Sequence, residues 1–323
     1  VTGVQTCALP ISTTQEVTTL AYQIERLFNQ LMISPNTLTA EKIQSVTQSL
    51  IEQTRAHPNA IIGTVHLRTD IKYSVIRAIQ NTIFALLVSD QMEWFDEART
   101  LSLCCAALTE HISLYPIRDQ LNHQQEGLSP WQCKIIKSYP QKAIRILISI
   151  GVNDQRWLHT IGGDSSKEEA SCETSILTVV NRYGAMISER GKRKPMGGQE
   201  ATQTLLSEPS PPPLEVKIGA MLVNILGIYP PGTAVQLHNG ETAIVTCKKT
   251  IGEPTAVMSV CDVNGKQLKT PIFRDIRQPD YHIEHSITLD WTRHLNIDLF
   301  WNSSMESPSN EALFQLSPRV TGN

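Results

Sequence analysis

The spacing of apolar residues changes once along this chain, and that change limits what it can fold into. Up to Leu226 they recur three and four apart; from Thr233 they alternate. Side chains three and four apart share a helix face, whereas successive strand residues point to opposite sides, so the two patterns need different packing layers. Asn239-Gly240 separates the runs Thr233–His238 and Glu241–Lys248, and Asn264-Gly265 separates Thr255–Val263 and Lys266–Phe273. Asn-Gly between alternating runs predicts two-residue type I′ hairpins, hence a four-stranded antiparallel meander. The expected class is mainly α: a helical bundle followed by a small antiparallel β-meander at the C-terminus.

The helical stripes are legible one by one. Leu20, Ile24, Leu27, Phe28 and Leu31 form the first; Ile43, Val46, Leu50 and Ile51 the second, which His57-Pro58-Asn59 is expected to end. Ile71, Val75, Ile76, Ile79, Ile83, Phe84 and Leu87 form the strongest, followed by Trp94, Phe95, Ala98, Leu101, Cys104, Cys105 and Leu108. Further helices are predicted at Ser129–Ile136, Gln141–Ile150, Cys172–Ser188 and Leu214–Leu226, with Ser207–Pro213 too rich in proline to be helical. The organisation reads as a leader (1–11), an N-terminal helical segment (12–70), a helical bundle (71–227), the meander (228–276) and a tail with a short amphipathic segment (277–323). The leader, VTGVQTCALPI, looks like a translated sequencing adapter and is set aside as non-biological. Trp94, Phe95, Trp131 and Trp157 are expected in core or bundle-edge packing; Trp291 and Trp301 flank a short amphipathic segment expected to dock on the bundle, with a partner-binding helix as the alternative. Glu215, Glu241 and Asp262 show no partner pattern.

With 28 Lys and Arg against 31 Asp and Glu, the net charge is −3. That gives no drive toward nucleic acid. No apolar run is long enough to span a bilayer. The six cysteines after the leader fall in no CxxC pair or zinc spacing, which reads as reduced thiols of a cytoplasmic protein.

Several segments in this order resemble bacterial HD-GYP proteins. Cys105–Ile112 (CAALTEHI) resembles that family's "AALLHDIG" helix and Gly127–Pro140 (GLSPWQCKIIKSYP) its "LTxxExxxIxxHP" stretch. Ile176–Pro195 (ILTVVNRYGAMISERGKRKP) resembles "ILAxADxYxAMxSxRxYRxP", and Leu226–Glu241 (LGIYPPGTAVQLHNGE) the Pro-Pro-Gly turn into the meander. The resemblance implies an HD-type helical bundle. It also implies metal-dependent phosphodiester hydrolysis of cyclic diguanylate, in which bound cations lower the pKa of bridging water and neutralise phosphoryl oxygens.

Position by position, the implied ligands are mostly replaced. Tyr73 stands for the first His, Glu110-His111 for the His-Asp pair in reversed order, Tyr139 for the His of "HP", and Asn181 for the late Asp. The reversal does not preserve geometry, because helical neighbours point about 100° apart. Only Glu110, His111 and His159 remain as metal candidates, with His66 and His123 as spares; no resident metal is expected, and Fe or Mn only if a working phosphodiesterase survives. Arg190 and Arg193 match the family's two arginines and are the candidate phosphate contacts; the alternative is a solvated basic helix end. Three functions follow from the resemblance. The first is a non-catalytic signalling protein that binds cyclic diguanylate or a protein partner. The second is an active phosphodiesterase with altered ligands, and the third is a scaffold without a nucleotide. If Tyr73, Glu110, His111, Tyr139 and Asn181 converge on one place, the positional matches hold.

Overall fold

The structure, a computed structural model, describes residues 13–301 except 69, 125, 164–170, 190–192, 208–210, 249–253 and 290–294. The leader, Arg190, Trp291 and the tail beyond residue 301 lie outside the described residues.

Helices α1 (Thr13–Ile33) and α2 (Ala40–Ala56) bury the stripes read from the sequence. Helix α2 ends before His57 as expected, and Pro58 at once opens a further helix that the sequence did not show, α3 (Pro58–Leu67). Proline's fixed φ and missing N–H suit a first helical position, where the amide would have no partner. Helix α3 is buried almost all round, from Ala60 to Val65. It therefore has no polar stripe to betray its period.

Helix α4 (Tyr73–Ser89) is the axis of the bundle, with every residue from Ser74 to Ser89 buried. Around it lie α5 (Glu97–Thr109), α6 (Tyr115–His123), α7 (Pro130–Ser149), α8 (Gln155–Gly162), α9 (Cys172–Met186), α10 (Gly198–Leu206) and α11 (Pro213–Leu226). One apolar core runs from Val17 to Leu226 through all of them except α3's sheet-facing side and α6, which meets it at Tyr115. Two predicted helices fuse into α7, which continues through Pro140; its start is fixed by a capping box between Ser129 and Gln132. Helix α5 starts later than its stripe suggests, because the Asp96 carboxylate accepts the Arg99 N–H at 2.7 Å. Trp94 is thus left in the preceding turn, 43% exposed, and Trp131 is 61% exposed on α7; neither is the packing residue expected, whereas Trp157 is fully buried.

The sheet has five strands, not four, in the order β4-β3-β2-β1-β5: β1 (Ala234–Leu237), β2 (Thr242–Lys248), β3 (Pro254–Cys261), β4 (Gln267–Asp275) and β5 (Ile283–Ser286). The first four form the antiparallel meander; β5, drawn from the predicted tail, returns beside β1. The hairpin turns also differ from expectation. The Gly240 N–H donates to the Leu237 carbonyl, so His238 and Asn239 are the central turn residues and Gly240 follows at φ 91°. Asp262–Lys266 repeats this with Gly265 at φ 76°. These are three-residue connections with a left-handed glycine, the next most common hairpin solution after type I′.

One sheet face meets α3. Ile244, Met258 and Val260 pack with Ala60, Leu67, Ile297, Phe300 and Trp301. The segment after β5 thus docks at the seam between bundle and sheet, where the Trp301 indole N–H donates to the Thr246 carbonyl at 2.9 Å. The acidic residues without an evident partner in the sequence do have one. Glu241 accepts a two-pronged contact from Arg274 (2.7 and 2.8 Å) and a hydroxyl from Ser259, and this pairing holds its carboxyl below the usual range. Glu215 pairs with Arg182 at 2.9 Å, and Asp262 accepts the amides of Asn264 and Lys266. Among the described residues, no helix is long and apolar enough to cross a membrane.

Candidate functional site

Five residues far apart in sequence meet inside the bundle. Glu110, at the end of α5, is 6% exposed and accepts the Tyr139 hydroxyl at 3.0 Å and the Asn181 amide at 2.5 Å. The His111 ring stacks on Tyr139 with centroids 4.8 Å apart, and its Nδ1 lies 3.4 Å from Glu110. Tyr73 stands at the start of α4, with the Arg118 guanidinium 5.6 Å from its ring centroid. Lys72 offers this helix end no side-chain cap; instead Asp119 of α6 accepts both the amide (3.0 Å) and hydroxyl (2.6 Å) of Ser74. Tyr73, Glu110, His111, Tyr139 and Asn181 therefore gather around one centre, drawn from α4, α5, α7 and α9.

Two cations complete it. Arg77 of α4 is 2% exposed and donates to the Asn181 carbonyl at 2.7 Å and to Gln80 at 3.1 Å. Gln80 is itself fixed by the Val65 carbonyl and Ser188. Burial lowers the Arg77 pKa to about 10 and depresses that of Arg118 as well. Burial raises the Glu110 carboxyl, even though Asn181 and Tyr139 donate to it and both arginines attract its charge. Burial, reinforced by Arg118 and Arg77, pushes His111 well below its ordinary value, and burial raises the Tyr139 hydroxyl. The centre thus favours a neutral imidazole and a hydrogen-bonded carboxyl between two guanidiniums.

The other candidates lie elsewhere. His159 is exposed on α8, and among the described residues it forms no metal-competent group with Glu110 or His111. Arg193 is exposed and donates to the Ala185 carbonyl near the end of α9. His123 is exposed, with Nδ1 on the Asp119 carbonyl. His66 is enclosed: Nδ1 donates to the Ile62 carbonyl (2.7 Å), and Nε2 accepts from Tyr183 (3.1 Å). Burial lowers its pKa to about 4. A depressed folded value contributes stability above the unfolded pKa of about 6.5, and this is lost as pH falls toward 4; the gap is worth up to about 3 kcal/mol. Urea unfolding at about pH 7 and pH 4 is expected to show that loss in the wild type and a smaller one in His66→Asn. Identical losses would exclude His66 as its source.

Arg77 and Arg118 did not stand out in the sequence. A sign was available for Arg77, which lies between Ile76 and Ala78 on a helix apolar on several faces, where a charge must be paired. Beside the cluster opens a cavity of about 570 Å³, lined by Tyr73, His66, Arg68, Lys72, Asp119 and Ser188 among others. That size lies within the roughly 300–1,000 Å³ of small-molecule sites.

No family model matches the chain. It is 24% identical over 202 residues to a cyclic di-GMP phosphodiesterase of Pseudomonas aeruginosa, covering 58% of this chain and 48% of that protein. It is 20% identical over 182 residues to the cyclic di-GMP phosphodiesterase PdeB of Borreliella burgdorferi, covering 53% and 48%. The chain spans about half the length of the curated relatives it matches. A solved HDG"Y"P protein from Bdellovibrio bacteriovorus superposes with a TM-score of 0.53 at 14% identity, covering 69% of this chain and 74% of that one. The chain is HD-GYP-like. That resemblance, first visible in four segments, extends to the fold.

Proposed function

We propose that this HD-GYP-like chain is a non-catalytic cytoplasmic signalling protein, one that binds cyclic diguanylate without cutting it. The observation that carries the reading is the state of Glu110. Both its oxygens already accept hydrogen bonds, from Tyr139 and Asn181, and two guanidiniums stand nearby. A cluster of Fe or Mn ions needs several open, electron-rich ligands. Phenol, amide and guanidinium groups are the opposite, so the residues present do not fit such a cluster.

The cavity beside Tyr73, of a size that suits a small molecule, favours ligand binding over a scaffold without a nucleotide; its cations Arg68 and Lys72 are paired with Asp70 and Glu25, so phosphate contacts are assigned elsewhere. Arg190 and Arg193 are the proposed phosphate contacts, Arg presenting a planar fork to phosphate oxygens. The test is a single preparation loaded with Fe(II) or Mn(II), assayed for metal content and for cyclic diguanylate turnover. Substoichiometric metal and no linear product are expected, with calorimetric binding of the dinucleotide lost in Arg190→Ala plus Arg193→Ala. Turnover abolished by His111→Ala would overturn the reading in favour of an active phosphodiesterase. No binding at all would leave the scaffold.

A further inference from the structure

A second group of potential ligands lies on the sheet, independent of the bundle. His238 follows β1, His282 precedes β5 and Glu284 lies within β5; one ligand atom from each falls within 4.8 Å of the other two. His238 Nδ1 is 2.9 Å from the Glu284 carboxylate, and the two imidazoles stack with centroids 4.4 Å apart. All three side chains are exposed, so a ligand can reach them.

Three features hold them in place. The pairing of β1 with β5 slips between Gln236 and Leu237, which face His285 and Ile283, so Glu284 has no counterpart on β1. A bulge of this kind re-aims a side chain at a sheet edge. The His238 amide donates to the His282 carbonyl at 3.0 Å and the Asn239 amide to the Asp280 carbonyl at 3.0 Å, pinning the β1–β2 turn against the approach to β5. Finally, His282 Nδ1 donates to the Pro279 carbonyl at 2.6 Å. That leaves the Nε2 lone pair free and fixes the ring, which is the outer hydrogen bond that metal-bound histidines characteristically make.

We propose that His238, His282 and Glu284 form a surface site for a divalent transition-metal ion of the zinc class, which clasps β5 to the β1–β2 turn. Two imidazoles and a carboxylate are borderline donors that suit zinc, with a fourth position left to water. Ligand atoms around a tetrahedral zinc stand about 3.3 Å apart. The group therefore needs only a small closure, which rotation of the exposed side chains supplies.

The test is titration of the untagged full chain with Co(II) as a spectroscopic stand-in for zinc. One equivalent is expected to bind with the intense visible absorption of a four-coordinate ion, and Zn(II) is expected to displace it and raise Tm. His238→Ala plus His282→Ala is expected to abolish both responses, Glu284→Gln to weaken binding at least tenfold, and His285→Ala to change neither. Metal-free Tm, unchanged in these exposed variants, confirms that they fold. The proposal is overturned if the wild type takes up no Co(II), if the double variant takes it up equally, or if uptake vanishes instead in His111→Ala, which would locate the ion in the bundle.

Discussion

Gly184→Ala is expected to destabilise the bundle by about 3–5 kcal/mol, the range for uncoupling a buried charge from its partners. A Cβ at this position would lie 1.7 Å from Arg77 Nη1. A guanidinium at the surface would swing aside at little cost. Arg77 has no such freedom, because it is buried and its head group is committed to the Asn181 carbonyl and Gln80. Arg77→Met keeps the length and removes the charge; alone it leaves these acceptors short of a partner and takes away one of the charges that attract Glu110. In Gly184→Ala with Arg77→Met, the flexible thioether can yield to the new methyl. The double variant should therefore be at least about 1 kcal/mol more stable than the two single losses predict. Chemical denaturation of the four proteins measures this. Additive losses would show that Gly184 and Arg77 do not constrain each other.

Gly63→Ala is the second large effect. The added methyl would lie 2.1 and 2.2 Å from two carbons of the Trp301 ring. That ring is held by its indole N–H on the Thr246 carbonyl and by Phe300 and Ile297 beside it. Overpacking of this kind costs about 1–3 kcal/mol, and more where the neighbour cannot move. The expected result is release of the Ile297–Trp301 segment, read as faster proteolytic cleavage after β5. Trp301→Ala should do the same, and Gly63→Ala added to it should do no further harm. If the double variant is cleaved faster than Trp301→Ala alone, the methyl acts somewhere other than on the indole.

The sequence made the architecture visible wherever burial was one-sided. The stripes of α1 and α2 each contrast a core face with a wet one, while α4 and the middle strands, buried on both faces, show themselves by a long apolar run and by the Asn-Gly turns. Legibility failed where neither signal was present. Helix α3 is enclosed by bundle and sheet, so no polar stripe announces the helix that Pro58 opens after α2 has ended. Pro140 divided α7 on paper, yet the chain continues through it. Strand β5 is short, and its partner β1 lies some fifty residues earlier in sequence, beyond the reach of local pattern. For the site, family resemblance located Tyr73, Glu110, His111, Tyr139 and Asn181, which do meet. It gave no hint of Arg77 and Arg118, because neither falls at a motif position. His238, His282 and Glu284 were equally hidden, since their proximity depends on a turn and a bulge.

The paired guanidiniums also bear on attempts to retrofit this scaffold. Placing histidine and aspartate at positions 73, 110, 111, 139 and 181 would add donors but leave two fixed positive charges at the centre. At 4 Å, unit charges in a partly screened interior repel by about 4 kcal/mol, and a divalent ion feels twice that. A designer would first have to evict Arg77 and refill the space its head group now shares with Gly184. Any metal site built here thus depends on the packing of α4 against α9 before it depends on a ligand.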